Sequence, residues 1–276
     1  MNKNYFHIDE IEWQRSADKE WGSLRWKEIF NASQGNSKEF IFGYAELEVG
    51  QRLPLHTHKQ AETDFIISGN AKVRLGKRCV EVGPASALYF PGEAPHAIEA
   101  LGNEALCYIY TYPCEKMGQA MEMEMADEES ASRIDIINNP ETRWAVAEEF
   151  EPWEPWEPSK GLKGILVRWL LGPERGNCQE ILAGTFKLAP GVHYTLHHHD
   201  GPEIYYGLSG RGIIYAGESK VNAYPGVAIY LQGGIIHGAD AIGSEPLHMY
   251  WLHGNESTGK NYNWTPVEDI YTEVRS

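Results

Sequence analysis

The sequence predicts an all-β protein made of two tandem copies of one domain. Three observations support this prediction: a long internal repeat, the regular spacing of turn-forming residues, and the weakness of helical periodicity. The length of 276 residues suits two domains, and a hydrophobic content of 42% is enough to build a sizeable core.

A shift of the sequence by 141 residues superimposes its most reactive side chains on identical residues. The matched pairs are His56 with His197, His58 with His199, Glu62 with Glu203, and His96 with His237. Glycines and aromatic residues match at the same shift, so the repeat covers about residues 35–115 and again about 176–256. Two copies of this length indicate a duplicated domain, because a solenoid stacks many short units.

Short runs of β-branched and aromatic residues, such as 40–42 and 249–251, recur between glycine, proline, asparagine and serine residues. Turn signals come about every 8–12 residues, which is typical of β-sandwiches and barrels. Helical periodicity is weak, and we expect helices only at 21–30 and 141–150.

The acidic segment between the repeats is expected to be a connector, at residues 116–160, between an N-terminal domain at 1–115 and a C-terminal domain at 161–276. Between residues 116 and 157, twelve acidic side chains are accompanied by only three basic ones. Three Glu-Pro pairs at 151–158 favour extended polyproline structure. Trp153 and Trp156 have large apolar side chains, whose exposure to water is unfavourable. We therefore expect them to pack against a barrel wall and to hold the connector there. The alternative is a lid over a barrel mouth.

The net charge of −15 argues against nucleic acid or an anionic membrane as a partner. The N-terminus has no apolar run of signal-peptide length and no stretch approaches about 18 apolar residues, so we expect a soluble, cytoplasmic protein. The four cysteines do not recur at the 141-residue shift and form no CxxC pair. They are expected to be thiols and not a disulfide framework.

Each copy carries the elements of a metal site in the same order: glycine, five residues, His-x-His, three residues, glutamate, six residues, glycine. Alternate side chains on a strand share a face, so each His-x-His pair aims both imidazoles one way, whereas His198 points the other way and is not expected to be a ligand. A turn brings the glutamate back beside the pair, and a later histidine completes the set. The predicted metal ligands are His56, His58, Glu62, His96, His197, His199, Glu203 and His237. Three imidazoles and one carboxylate suit a divalent first-row metal, with Fe(II) or Mn(II) favoured and Zn(II), Ni(II) or Co(II) possible.

On these residues the sequence resembles the cupin superfamily, and specifically the two-domain bicupins. Both copies match the first cupin motif, G(X)5HXH(X)3E(X)6G, without deviation. The second motif, G(X)5PXG(X)2H, is looser: copy one keeps Pro91 and His96 with a longer spacing, and copy two has Gln232 where proline is usual. The resemblance implies two tandem cupin barrels of the double-stranded β-helix, or jelly-roll, type joined by the acidic connector. It also implies a homodimer or a larger homo-oligomer.

The differences between the copies favour the second barrel as the site of catalysis. Two residues after the glutamate, on the same face of the strand, copy two has Tyr205 and copy one has Asp64. A phenol near a divalent cation can act as a base, so Tyr205 and Glu203 are the predicted catalytic residues; the alternative for Tyr205 is a place in the barrel core. Asp64 could orient a ligand imidazole. Weaker candidates as substrate anchors are Arg52, Arg74 and Arg211, while His193 and His248 are expected to be structural.

We therefore expect a metal-dependent enzyme that acts on a small polar metabolite with a carboxylate or carbonyl group, by oxygenase or lyase chemistry. The resemblance extends to dioxygenases, oxalate decarboxylases and isomerases. The Glu-x-Tyr of copy two is similar to that of cupin dimethylsulfoniopropionate lyases, in which the tyrosine is the expected base for β-elimination. Isomerase or decarboxylase chemistry is the alternative, as is a non-catalytic cupin that binds a ligand or stores metal.

Overall fold

The computed structural model describes residues 3–17, 21–31, 37, 39–113, 123–133, 144–156, 163–175, 178–254 and 265–267. Strands dominate these segments, and the prediction of an all-β protein is confirmed. The α-helix α1 (Glu128–Arg133) is short, and no helix in the described segments is long and apolar enough to cross a membrane.

The strands as far as the connector are β1 (Tyr5–His7), β2 (Gln14–Arg15), β3 (Arg25–Phe30), β4 (Phe40–Leu47), β5 (Arg52–Thr57), β6 (Glu62–Ser68), β7 (Asn70–Leu75), β8 (Arg78–Val82), β9 (Ser86–Phe90), β10 (His96–Leu101), β11 (Leu106–Pro113) and β12 (Glu124–Met125). They continue with β13 (Ala145–Ala147), β14 (Glu154–Pro155), β15 (Ile165–Leu171), β16 (Ile181–Leu188), β17 (His193–His198), β18 (Glu203–Ser209), β19 (Arg211–Ala216), β20 (Ser219–Ala223), β21 (Val227–Leu231), β22 (His237–Ile242), β23 (Leu247–Gly254) and β24 (Thr265–Pro266). Single turns of 3-10 helix lie at Ile8–Glu10, Glu148–Phe150 and Pro173–Arg175.

Each repeat forms a barrel from a seven-stranded and a five-stranded antiparallel sheet. In the first barrel the strand orders are β13-β9-β6-β11-β4-β3-β2 and β12-β5-β10-β7-β8. In the second they are β1-β21-β18-β23-β16-β15-β14 and β20-β19-β22-β17-β24. The strands β4 to β11 recur as β16 to β23 at a shift of 141 residues with the same first and last positions. The repeated turn residues therefore fix the same strand lengths and the same register in both barrels.

The two barrels exchange their first strands. β1, at the start of the chain, pairs with β21 of the second barrel, and β13, in the acidic connector, pairs with β9 of the first barrel. A 3-10 turn follows each of these strands, and then β2 and β14 return to pair with β3 and β15 of their own barrels. The part of the connector from β13 to β14 is thus a second copy of the N-terminal arm, and the duplicated unit comprises an arm and a barrel.

Both arms are anchored by a tryptophan beneath two cations. Trp13 lies 4.2 Å from the Arg25 guanidinium and 4.6 Å from the Lys27 ammonium, measured to the ring centroid. Trp153 packs in the same manner against Arg168 at 4.3 Å and Lys187 at 4.5 Å. Such contacts stabilise by about 0.5–1 kcal/mol at exposed sites. Trp153 therefore holds the connector on the wall of the second barrel, whereas Trp156 lies 5.6 Å from Trp169 and borders a cavity of that barrel.

The two helix predictions were wrong where the structure describes them. Residues 25–30 form β3, because their backbone pairs with β4 along its length, with Trp26 opposite Ala45. Residues 145–147 form β13 and residues 148–150 a 3-10 turn, while 141–143 lie outside the described residues. Strand pairing outweighs a weak helical periodicity in short segments of this kind. The predicted domain boundaries at 115/116 and 160/161 also fall outside the described residues.

The interface between the barrels is apolar and approximately two-fold symmetric. Phe65 of the first barrel stacks on Tyr250 of the second, with 4.4 Å between ring centroids. The Tyr89 hydroxyl donates a hydrogen bond of 2.8 Å to Glu180. The repeat equivalents of these two residues, Tyr230 and Glu39, form the reciprocal hydrogen bond. Equivalent surfaces of the two barrels thus contact each other, which is the geometry of an isologous dimer interface.

Gly184 on β16 should tolerate a side chain poorly. A Cβ there would lie 2.0 Å from the Arg168 carbonyl oxygen and 3.0 Å from the Trp251 ring. We expect Gly184→Ala to lower the free energy of unfolding by about 3 kcal/mol or more, because backbone must move. Gly191 has a φ of +74° but nothing within 4 Å of its added Cβ, so Gly191→Ala should cost only about 1–2 kcal/mol. Equal losses in urea unfolding of the two variants would contradict this reasoning.

Glu148, at the end of β13, is a buried carboxylate between the barrels. It accepts a 2.9 Å hydrogen bond from Thr185 and lies 3.3 Å from both Arg168 and His248. Burial raises its pKa, but His248, Thr185 and Arg168 together outweigh burial and leave the pKa lowered. Its contribution to stability should therefore be present above the unfolded pKa near 4.3 and be lost as the pH falls through the folded pKa.

We accordingly expect Glu148→Gln to lower the free energy of unfolding by about 1–3 kcal/mol at neutral pH. The difference from the parent protein should shrink as the pH falls below the unfolded pKa near 4.3 and toward the lower folded pKa, because the unfolded state of the parent then binds the proton first. Urea unfolding at pH 7 and at about pH 3.5 measures both values. A difference that does not change with pH would show that the charge of Glu148 is not what stabilises the interface.

Candidate metal centres and their surroundings

The four predicted ligands of the first barrel lie together in its interior. β5 supplies His56, His58 follows its last residue, β6 begins at Glu62 and β10 begins at His96. One nitrogen or oxygen from each lies within 4.8 Å of the others. All four side chains are buried, with 1–4% of each residue exposed. The backbone pairing of His96 with His56 brings the two strands that carry them into register.

The second barrel repeats this arrangement with one addition. His197, His199 and His237 form one compact group, and His199 and Glu203 form a second group with His253. The Nε2 atom of His237 lies 3.1 Å from Glu203 Oε2, which joins the groups. The 56–96 and 197–237 imidazole pairs both have centroids 4.2 Å apart. The structure therefore brings all eight sequence-predicted ligands together in two similar clusters.

Each of the six imidazoles donates its Nδ1–H to a backbone carbonyl two residues away. The acceptors in the first barrel are the oxygens of Pro54, Gln60 and Ala94, at 2.7–2.9 Å. Those in the second barrel are the oxygens of Thr195, Gly201 and Ile235, each at 2.9 Å. A bond of this kind fixes the tautomer and directs the Nε2 lone pair into the cluster, as is usual for metal-bound histidine.

The Nε2 atoms converge on one carboxylate oxygen in each barrel. His58 and His96 approach Glu62 Oε2 at 2.9 and 3.1 Å, and His199 and His237 approach Glu203 Oε2 at 3.2 and 3.1 Å. Lone pairs at this distance require positive charge between them, either a proton or a metal ion. Two ligands at about 2.1 Å from one ion and at roughly right angles would be about 3.0 Å apart, so the donor set fits a divalent metal.

Electrostatics prepare the clusters for a cation. Burial and the neighbouring His96 lower the pKa of His56 to about 3, and burial with His237 lowers the pKa of His197 well below its ordinary value. Burial alone would raise the pKa of Glu62, but the hydrogen bonds and charges of His58 and His96 hold it well below its usual range. Burial would also raise the pKa of Glu203, but His253, His199 and His237 hold it well below its usual range. Neutral imidazoles and ionised carboxylates are the forms that bind metal.

The second oxygen of each carboxylate has its own partner, which the sequence analysis did not identify. The Tyr112 hydroxyl donates to Glu62 Oε1 at 2.9 Å, and His253 Nε2 lies 3.0 Å from Glu203 Oε1. Tyr112 and His253 are equivalent at the 141-residue shift. Because the two residues are not identical, the repeat of identical residues does not point to them. The available signal was a histidine on the inward face of the last strand of copy two.

A cavity adjoins the second cluster. It has a volume of about 30 Å³, room for about two water molecules, and its wall includes Glu203, Tyr205 and His253. The rest of the wall is mainly aromatic and aliphatic, formed by Trp156, Ile165, Val167, Trp169, Leu182, Phe186, Tyr194 and Trp251. Tyr205 is 2% exposed, and its ring centroid lies 6.3 Å from that of His237. The wall is thus mainly apolar, with a few polar groups contributed by the cluster and by Tyr205.

Asp64 occupies the position of Tyr205 in the first barrel and is fully buried. Burial and the charge of Glu62 raise its pKa well above the ordinary value. The three ligand imidazoles of this barrel use their Nδ1 atoms on backbone carbonyls, so Asp64 does not orient them through that atom. The group of the cluster that interacts electrostatically with Asp64 is instead the Glu62 carboxylate.

The remaining candidates lie away from the cavity. Arg52 and Arg211 are exposed, and Arg74 forms a bidentate ion pair with Glu128 of α1 at 2.7 and 2.8 Å. His193 bonds to Asp240 at 2.6 Å, and His248 meets Glu148. His198 pairs through its backbone with Thr265 and belongs to neither cluster. None of the three arginines lines the cavity of the second barrel.

Comparison with solved structures shows the fold of the whole chain in known enzymes. An oxalate decarboxylase from Bacillus subtilis at pH 4.6 superimposes with a TM-score of 0.72 and 18% identity, over 92% of this chain and 77% of that one. A further structure of the same enzyme, from work on its Mn(II) centres, matches with a TM-score of 0.72 and 17% identity, over 100% of this chain and 84% of that one. Identities this low establish a common fold only.

Among curated proteins, a dimethylsulfoniopropionate lyase of Ruegeria pomeroyi, DddW, is 30% identical over 96 residues. This match spans 35% of the present chain and 62% of that protein's length. The family model described as "Cupin domain" matches twice, at residues 43–112 and 184–253, which together make up more than half of the chain. The chain therefore belongs to the cupin family, with one cupin domain in each barrel.

Proposed function

We propose that the protein is a metal-dependent lyase acting on a small carboxylate in the second barrel. The observation that carries the proposal is the position of Tyr205, two residues beyond Glu203 on β18 and on the wall of the cavity that reaches the metal-ligand cluster. The first barrel has no phenol at this position, since Asp64 replaces it.

The reaction we propose is β-elimination. The Tyr205 oxygen removes the proton next to the substrate carboxylate, a double bond forms between the two carbons, and the bond to the β substituent breaks with its electron pair. A base positioned within reach of the proton contributes typically about 10²–10⁴-fold to such a step. The aliphatic and aromatic wall excludes water from the reacting carbons.

The aromatic wall of the cavity suits a cationic leaving group. Three tryptophans, Trp156, Trp169 and Trp251, line it, and indole faces attract sulfonium or quaternary ammonium groups. A β-sulfonium carboxylate such as dimethylsulfoniopropionate would place its cation against these rings and its carboxylate toward a divalent ion held beside Glu203.

A divalent ion held by His197, His199, Glu203 and His237 would act as a Lewis acid toward the substrate carboxylate and stabilise negative charge on it. We propose Mn(II) or Fe(II), with Zn(II), Ni(II) and Co(II) as the ions to compare. The similarity to the Ruegeria lyase supports the reaction, and the likeness to an enzyme with Mn(II) centres supports the metal.

The test is a substrate panel with the protein loaded separately with each of these ions. We expect release of dimethyl sulfide and acrylate from dimethylsulfoniopropionate, followed by NMR, without oxygen uptake. Carbon dioxide release from oxalate would replace the proposal with a decarboxylase, and oxygen uptake with any small acid would replace it with an oxygenase. Failure of every metal-loaded form to convert any β-substituted propionate would refute the lyase proposal.

A further inference from the structure

The two metal-ligand clusters differ at the residue that holds the outer oxygen of the glutamate. In the first barrel this residue is Tyr112, near the end of β11, and in the second it is His253, near the end of β23. Both side chains are buried, at 6% and 3% exposure, and both approach the Oε1 atom at about the same distance, 2.9 and 3.0 Å. The contact with Oε1 is therefore present in both barrels, but a phenol makes it in the first barrel and an imidazole in the second.

In each barrel the two carboxylate oxygens of the ligand glutamate have different neighbours. Its Oε2 atom meets the ligand imidazoles, whose Nε2 atoms carry lone pairs, and its Oε1 atom meets a hydrogen-bond donor. A carboxylate held in this way offers one oxygen to an ion, because the other is occupied by the donor. Without the donor the side chain could rotate and present both oxygens.

We propose that His253 is a positioning residue that restrains Glu203 to single-oxygen binding of the metal, as Tyr112 restrains Glu62 in the first barrel. His253 is close enough to the cluster to be considered a ligand, since it forms a group with His199 and Glu203. Its Nε2 atom, however, approaches Oε1 at 3.0 Å, whereas the Nε2 atoms of His199 and His237 approach Oε2. The ligand imidazoles and His253 therefore meet different oxygens of the carboxylate, and the role that the proposal gives His253 is that of an N–H donor to Oε1.

The inference concerns metal binding and does not depend on the reaction proposed above. It is tested in a His56→Ala background, which leaves the second cluster as the site to be measured. Mn(II) affinity is determined by titration followed by electron paramagnetic resonance, and the stability of the metal-free protein by urea unfolding. The variants are His253→Ala, which removes the donor, and His253→Gln, whose amide N–H can take its place.

We expect His253→Ala to weaken Mn(II) binding by about 10–100-fold, as loss of an outer-shell partner usually does. His253→Gln should restore the affinity to within a few-fold of the parent value, and neither change should alter the number of imidazole nitrogens detected at the ion, which should be three. The matched control is Tyr112→Phe in a His197→Ala background, which should weaken the first site by a similar factor.

Three results would overturn the proposal. Unchanged Mn(II) affinity in His253→Ala would show that the contact does not position Glu203. Four imidazole nitrogens at the ion, falling to three in His253→Gln, would make His253 a direct ligand. A loss of stability in the metal-free protein without a change in affinity would make its role structural. If His253→Ala does not fold, His253→Phe, which keeps a ring but has no donor, provides the same comparison with His253→Gln.

Discussion

Replacing His197 with alanine is expected to remove the metal from the second barrel and to reduce turnover by at least about 10²-fold. Loss of an outer-shell partner already costs about 10–100-fold in affinity or activity, and loss of a direct ligand should cost more. His197 is fully buried, and its Nδ1 atom is held by Thr195 so that Nε2 faces the cluster. An alanine leaves no donor in that position.

The measurement is metal content per chain, by elemental analysis, together with activity. With both clusters loaded, the parent protein should bind two ions and His197→Ala one. The matched control is His56→Ala, which should also bind one ion but retain most of the activity, because the cavity and Tyr205 belong to the other barrel. If His56→Ala were as inactive as His197→Ala, catalysis could not be assigned to the second barrel.

Tyr205→Phe should reduce turnover by about 10²–10⁴-fold while leaving metal content and KM nearly unchanged. The change removes one oxygen from a buried ring that packs on Phe186 with 5.3 Å between centroids, so the wall of the cavity keeps its shape. A lower turnover with unchanged binding indicates a group needed in the transition state.

The control for this variant is Tyr215→Phe. Tyr215 is equally buried, but its hydroxyl donates to Asp240 on the five-stranded sheet and it does not line the cavity. Activity should therefore be unaffected, although stability should fall by about 1 kcal/mol with the lost hydrogen bond. Full activity in Tyr205→Phe would return Tyr205 to the barrel core, the alternative that the sequence left open.

The sequence predicted the ligand clusters well because their geometry depends on strand alternation. His56 and His58 share a face at any point along a strand, and the turn of three residues before Glu62 leaves little freedom in its placement. His253 was missed for a different reason. Its role depends on which strand lies beside β18, and pairing between strands distant in sequence cannot be read from a local pattern.

The exchanged arms were also beyond the sequence pattern. Trp13 and Trp153 match at a shift of 140 residues, whereas the barrels match at 141, so a search at one fixed shift does not align them. The acidic charge of segment 116–160 predicts a connector between the domains. β13 nevertheless joins a sheet, because the backbone hydrogen bonds that pair strands do not depend on side-chain charge. In β3, cross-strand pairing with β4 likewise decided a segment whose local preference was weak.

The exchange of β1 and β13 has a consequence for the history of the chain. A polypeptide with a single arm and a single barrel could complete its sheet in this way only by lending its arm to a second copy and receiving that copy's arm in return. The reciprocal Tyr89–Glu180 and Tyr230–Glu39 contacts have the same symmetry. The present chain therefore preserves, within one covalent molecule, the arrangement of an arm-swapped homodimer. Within one chain the two halves can differ, and they do so beside the glutamate, where one barrel has Tyr205 and His253 and the other has Asp64 and Tyr112.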